Sequence, residues 1–467
     1  MNQDDAATTL CDLPDELLLH VTHQLRCTRS LQPQSTAFKE KAKEKARQCE
    51  NRRNQLALHA LCLTNRHLHK IATPLLYRSF IGSATSFGLK PLELFQRTIT
   101  TAQSTTKPGS PLVHNLKYVE NRLSDYLGNS LYADTEKDDV VTTASRYFSL
   151  LAEIVNHAPN IQHLSVVSVE APGVSFWETV LVNEHNSGGR LLAADHGFAM
   201  LESLCLQIHT QGHDSHRSQT VFSQICSATT GMPRLQDLRA SGIIADGLPP
   251  ALPGRLEKLV RLEITECMLE VNEIINLWAA CDGLQHIVCV WAFLHTDTLS
   301  RSDLYEALLR HRETLQSLHL DMREVRIIEL PDDRPWKLGS LRPFQALIEL
   351  TICTRSLLGI DNEDIGAEGY EEDFSLSEIL PKRLKSFVLL LSNDEDENEI
   401  DLSEAEVLWA LSKDCPHSQS ELENVIVQSR PRLSLAGLSS AFEENAVHFG
   451  TVQEANQWSP LDMPWRL

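Results

Sequence analysis

The hydrophobic positions of this chain change period once, and the change divides it. In "LPDELLLHVTHQL", residues 13–25, Leu13, Leu17, Val21 and Leu25 recur every fourth position and Leu18 widens the stripe. That spacing predicts one face of a helix. Asp12 is placed to cap it and Pro14 falls in its first turn, where a missing N–H costs nothing. A second apolar helix is expected in "LALHALCLTNRHLHKIATPLLYRSF", with Leu58, Leu61 and Leu68 on one face, Ile71 beside it, and a turn at Pro74. Between them, "STAFKEKAKEKARQCENRRNQ" is rich in helix formers with Glu40–Lys43 and Glu44–Arg47 pairs, so a polar helix is expected to run into the apolar one.

From about residue 110 the period shortens. "NIQHLSVVSV", "MLESLCLQIH", "RLQDLRASGI", "KLVRLEITEC", "GLQHIVCVWA", "TLQSLHLDMR", "ALIELTICTR", "RLKSFVLLLS" and "ELENVIVQSR" each follow apolar-x-x-apolar-x-apolar, with some slippage in the last position. The fourth template residue falls at Leu164, Leu204, Leu238, Leu262, Ile287, Leu318, Leu350, Phe387 and Val425, spaced by 24 to 40 residues. "LVHNLKYVEN" at 112 is a weaker first member. Helical patterns precede several members: Phe148, Leu151 and Val155; Leu304, Ala307 and Leu308; Val407, Leu408 and Leu411. A helix and a short strand that cannot bury their apolar sides alone must stack on their neighbours. Strands joined by helical crossovers run parallel. The expected fold class is therefore α/β: a helical module over 10–80 with a helical insertion at 27–55, an irregular repeat solenoid over 110–430 with a parallel concave sheet, and a tail over 431–467.

Charge narrows the ligand classes. The chain of 467 residues has a formal net charge of -21, which argues against nucleic acid as the main ligand. Two stretches, "DNEDIGAEGYEEDF" and "NDEDENEID", concentrate the acid: 16 acidic residues lie between Asp361 and Glu406, against Lys382, Arg383 and Lys385. In contrast, Lys39 to Arg53 holds seven basic and three acidic residues. No apolar run is long enough to span a bilayer, and the acidic N-terminus is unlike a signal peptide. Eleven cysteines without a framework pattern point to a reducing compartment, cytoplasmic or nuclear.

The first helix pair resembles an F-box, the module that links substrate receptors to cullin–RING ubiquitin ligases. The resemblance rests on Leu13, Pro14, Glu16, Leu17, Val21 and Leu25, then Leu58, Leu61, Leu68, Ile71 and the ending "PLLYRS". It covers about one sixth of the chain, and about thirty residues, Arg26 to Gln55, stand where an ordinary F-box has a short turn. The later pattern resembles leucine-rich repeats in their long, variable form, and the combination resembles F-box proteins of filamentous fungi. The resemblance implies that Leu13, Pro14, Leu17, Leu18, Val21, Leu25, Leu58, Leu61, Leu68 and Ile71 meet a Skp-family adaptor and, through it, a cullin–RING ligase. A bare leucine-class side chain forgoes about 1.5 to 3 kcal/mol, so such a stripe calls for a cover.

The substrate protein would lie on the strand face opposite the core. Alternation along the strands places His163, Ser165, Asp237, Arg239, Arg261, Glu263, Ser317, His319, Asp321, Glu349 and Thr351 there. The rival reading is a ligase-independent scaffold whose first helices only cap the repeats.

No chemistry of the chain's own is expected: there is no CxxC, no HExxH, no G-x-S-x-G, and no phosphate-binding or dinucleotide-binding glycine loop. The sets His20, His23, Cys27 and Cys62, His67, His69 read as packing residues rather than metal ligands. The run from Asp394 through Asp396 and Asn398 starts like a calcium loop, yet has Glu399 where glycine is required and Ala405 where a bidentate Glu is required. Neither metal nor cofactor is expected.

Overall fold

The computed structural model describes residues 13–29, 41–84, 89–101, 112–123, 137–170, 174–181, 192–209, 215–243, 255–292, 294–296, 301–327, 337–358, 375–391, 402–419, 421–430, 433 and 435–453. Asp12, both acidic stretches and the residues from 454 onward lie outside them.

Among the described residues the first elements are three helices: α1 (Asp15–His23), α2 (Lys41–Thr64) and α3 (Arg66–Leu76). Pro14 sits just before α1. The second apolar helix expected from sequence is two helices, because Asn65 turns the chain and its side chain accepts the Leu68 N–H at 2.8 Å as an N-cap. The polar stretch runs without a break into Leu58 and Leu61, as its composition predicts. Pro74 lies inside α3, two residues before its end.

The strands follow: β1 (Ser79–Ala84), β2 (Tyr118–Leu123), β3 (His163–Val169), β4 (Ser203–His209), β5 (Asp237–Ser241), β6 (Arg261–Cys267), β7 (His286–Trp291), β8 (Leu294–Thr296), β9 (Ser317–Asp321), β10 (Val325–Ile327), β11 (Glu349–Cys353), β12 (Ser386–Leu390), β13 (Asn424–Ser429) and β14 (His448–Gln453). Apart from β8 and β10, which pair with each other, they follow chain order in a twelve-stranded sheet that does not close. The ladders with a described register are parallel, and thirteen helices are present among the described residues.

Two compact units divide the chain. One runs to Leu206 and includes Gly231–Arg234; the other comprises Gln207–Thr230 and the residues from Leu235. The N-terminal helices thus share a unit with β1, β2 and β3.

The repeat template is realised residue by residue. Each of the nine fourth-position residues is the second residue of its strand, and each is buried. In the second unit Leu238, Leu262, Ile287, Leu318, Leu350, Phe387 and Val425 pair one to the next across the ladder. The pattern continues past 430: Phe449 of β14 pairs with Val425, behind a helix over Ala436–Glu443, in the stretch read from sequence as a tail. In the first unit Phe80 pairs with Val119, and Val119 with Leu164. The stripes Phe148, Leu151, Val155 and Leu304, Ala307, Leu308 are buried, as are Leu408 and Leu411, with Val407 half-buried.

Successive repeats are also tied by a recurring backbone contact just before the strands. The Val260 carbonyl accepts N–H groups from both Gln285 and His286, the Gln285 carbonyl from Gln316 and Ser317, and the Gln316 carbonyl from Ile348 and Glu349. Ile348 and Lys385 do the same for the next two repeats. Register is therefore fixed at the strand entrance as well as by the buried row.

Candidate interaction surfaces

The helices α1, α2 and α3 form a small core of their own. Leu18, Leu68 and Ile71 pack together with Leu13 and Leu61 against them, while Leu58, Ala72 and Leu75 pack with Leu25, Leu61, Cys62 and Leu76. The stripe read from sequence is therefore split. Leu18, Leu58, Leu68 and Ile71, read from sequence as partner contacts, are buried under the chain's own helices; Leu13, Leu25 and Leu61 are half-buried; Pro14, Leu17 and Val21 are exposed. Leu17 is 52% and Val21 48% exposed, and α2 adds Leu56 at 61% and Leu63 at 73%, which no stripe drawn from Leu58 includes. The buried face of α1 is Leu18 with Thr22, whose hydroxyl donates to the Leu18 carbonyl at 2.7 Å. His67 pairs with Asp15 at 3.1 Å, and His69 Nδ1 lies 3.0 Å from the Cys62 carbonyl.

The insertion is anchored to β2. Arg47 of α2 reaches Glu120 at 3.0 Å, and both side chains are nearly buried. The Tyr118 hydroxyl also donates to Glu120.

The strand face divides by burial. On β7 and β13 the pattern alternates half-buried with buried, and β9 and β12 begin the same way, while β11 begins exposed. Ser317, His319 and Thr351 are half-buried there and Glu349 is exposed, in paired rows: Glu349 beside Ser317, and Thr351 beside His319. Val388 and Ile426 continue the second row. On β5 and β6 alternation fails, because Arg239, Ser241, Glu263 and Thr265 are buried as well as the core residues.

Four of the residues picked from sequence converge on β5 and β6. Arg239 grips Asp237 with Nε to Oδ1 at 2.9 Å and Nη2 to Oδ2 at 3.0 Å, and its Nε stands 3.6 Å from Glu263 Oε2. Arg261 donates to Glu263 Oε1 at 2.9 Å. Burial pushes the Glu263 carboxyl up, against the pull of Arg239 and Arg261. His286, beside Arg261 in register, is pushed down by burial and then by that cation. Arg239 and Glu263 were expected to face a ligand; they are covered and neutralise one another.

Asp321, also read from sequence as facing a ligand, is enclosed as well. It ends β9, buried, with Arg323 bonded to both carboxylate oxygens at 2.9 and 2.7 Å. Burial raises its carboxyl, but Arg323 outweighs burial and holds it at about 2. Arg323 also donates to the Leu391 carbonyl at 3.2 Å, which ties the ends of β9 and β12. His163 and Ser165 lie on the β3 face, with Arg29 Nη1 2.8 Å from His163 Nδ1. Arg29, Arg47, Glu120 and Arg323 were missed from sequence: Glu120 belongs to the weakest repeat, and the three arginines lie outside strands.

A buried carboxylate that no sequence pattern marks is Glu170. It accepts from the Ser175 hydroxyl and from the Phe176 and Trp177 N–H groups, and burial lifts it to about 7. Among the described residues no three His, Cys, Asp or Glu side chains are grouped to hold a metal ion, and no helix is long and apolar enough to cross a membrane.

The fold defines an α/β protein of parallel strand repeats preceded by three helices. Comparison with known proteins finds no matching family model and no curated protein of similar sequence.

Proposed function

We propose that the chain is the substrate receptor of a Skp–cullin–F-box type ubiquitin ligase, with a leucine-rich-repeat-like solenoid behind an F-box-like module. The observation that carries this reading is the bare apolar set Leu17, Val21, Leu56 and Leu63, on helices whose other sides are packed. Large apolar side chains left exposed at i, i+4 on one helix and i, i+7 on another support a protein contact. In this reading Leu17, Val21, Leu56 and Leu63 meet the Skp-family adaptor, and a target protein lies on the alternating strands around Ser317, His319, Glu349 and Thr351. The chain contributes no catalytic group; it raises the effective concentration of the target beside the ubiquitin-loaded enzyme. Its place is the cytoplasm, the nucleus or both.

The test is capture of purified Skp-family adaptor by the full chain and by Leu17→Asp and Leu63→Asp variants. Both positions are exposed, so the variants are expected to fold. Binding by the parent and loss in both variants supports the reading, and no binding by a folded parent overturns it. A second reading, a ligase-independent scaffold with a helical end cap, is favoured by the burial of Leu18, Leu58, Leu68 and Ile71 and by the Arg47–Glu120 anchor. It predicts that the folded parent ignores the adaptor.

A further inference from the structure

The face of β2 and β3 that points away from the core is partly covered by the chain itself: Glu120 is buried, and Tyr118, His163 and Ser165 are half-buried. Tyr118 pairs in register with His163, and Glu120 with Ser165, alternating with the buried Val119 and Leu164. Three contacts bring the insertion onto this face. Arg47 holds Glu120 with Nη2 to Oε1 at 3.0 Å and Nη1 to Oε2 at 3.3 Å, and Nη1 also donates to the Thr28 carbonyl at 2.7 Å. Asn51, one helical turn further on and buried, clamps Thr28 from both sides: its Oδ1 accepts the Thr28 N–H at 2.8 Å and its Nδ2 donates to the Thr28 carbonyl at 2.8 Å. Arg29 then reaches His163. Beneath this segment the Cys27 thiol, pushed up by burial, bonds Ser79 of β1.

We propose that residues 26–29, held by α2, form an intrachain strap over the strand face of β1, β2 and β3, with Arg47–Glu120 as its clasp. While the clasp is shut, Glu120 and His163 are engaged by Arg47 and Arg29 and a partner cannot take their place. The basic insertion of an acidic chain thus occupies in cis the first stretch of the face that a ligand would use. Selective readout of targets then falls to the alternating strands from β7 to β13. The clasp is two-pronged and charge-assisted in a site with little water, the setting in which such a pair is strong and its loss is felt locally. It belongs neither to the helix core around Leu18 nor to the buried row of the sheet, so it can open without dismantling either.

The experiment is hydrogen exchange on the full chain and on Arg47→Ala and Glu120→Gln variants. Arg47→Ala removes no atom of the Asn51–Thr28 hydrogen bond, so faster exchange of the Thr28 N–H reports that the segment lifts and that bond breaks. The expected result is exchange at Thr28 at least tenfold faster in both variants, with Leu164 and Val166 of β3 within twofold of the parent. Alkylation of Cys27 by N-ethylmaleimide, followed by mass spectrometry, is expected to quicken while the exposed Cys49 is unchanged. Unchanged exchange at Thr28 overturns the proposal. So does a parallel loss of protection in β3, which is the mark of a weld of the whole unit rather than a strap.

Discussion

Leu17 and Leu18 are chemically the same residue at adjacent positions, and the structure assigns them opposite roles. Leu18 is 1% exposed, seated against Leu68 and Ile71, whereas Leu17 is 52% exposed. Helix α1 has nine residues, buries only Leu18 and Thr22, and has no side-chain N-cap. A helix of that length does not hold itself together in water, so its docking depends on Leu18. Replacing a buried Leu by Ala costs about 2 to 5 kcal/mol, whereas an exposed change away from special features stays within about 0.5 kcal/mol. At about 3 kcal/mol, Leu18→Ala raises the opening equilibrium of α1 about 100-fold, against about twofold for Leu17→Ala. Hydrogen exchange of the amides from Leu18 to His23 reads that difference directly, with β3 amides as the internal reference. Equal acceleration by the two variants refutes the assignment of faces, and a larger effect of Leu17→Ala reverses it.

Two carboxylates make opposite pH predictions. Asp321 is held at about 2 against an ordinary 3.8, so the stability it contributes is complete above about pH 4 and is lost as pH falls through 2. Asp321→Asn strands the buried Arg323 cation and is expected to cost about 3 to 5 kcal/mol at pH 7, a penalty that urea unfolding should show shrinking towards pH 2. A penalty independent of pH refutes the pairing. Glu170 is lifted from 4.5 to about 7, so its contribution is complete below pH 4.5 and is lost as pH rises through 7. That swing is about 3 kcal/mol, and because burial lifts Glu266 to about 7 as well, Glu170→Gln should remove about half of the pH 5 to pH 8 slope in the same unfolding assay. An unchanged slope assigns it to other groups.

The repeat was legible because one requirement repeats. A strand with one face on a core must put apolar residues at alternate positions, and a parallel ladder keeps them in one row; Leu238 through Val425 obey this without exception. The flanking strands were not legible because their last apolar slot is filled otherwise. In β1 the slot is Gly82, where a Cβ would stand 2.6 Å from the Phe80 ring and from the Tyr147 hydroxyl, so the close approach requires glycine. In β14 it is Thr451, exposed on an edge strand. At the N-terminus three leucines in a row hid the buried face, because its second member is Thr22, a polar residue made buriable by its bond back to the Leu18 carbonyl.

The strand face opposite the core was only half legible, and the reason is physical. A charged side chain at an alternate strand position reads as solvent-facing, since isolated charges are not buried. Asp237, Arg239, Arg261 and Glu263 are not isolated: two cations and two anions from adjacent strands meet, and Glu263 reaches 1% exposure because Arg239 and Arg261 flank it. Pairing across a ladder is information held by two segments together, so neither strand alone reveals it. The same holds for Glu120, whose partner Arg47 comes from an insertion 73 residues earlier. At Ser317, His319, Glu349 and Thr351 the row stays half-buried or exposed, alternation survives and the period-two reading holds. The two parts of this face therefore differ in burial more than in polarity: charged Arg239 and Glu263 are buried on β5 and β6, while Glu349 on β11 is exposed.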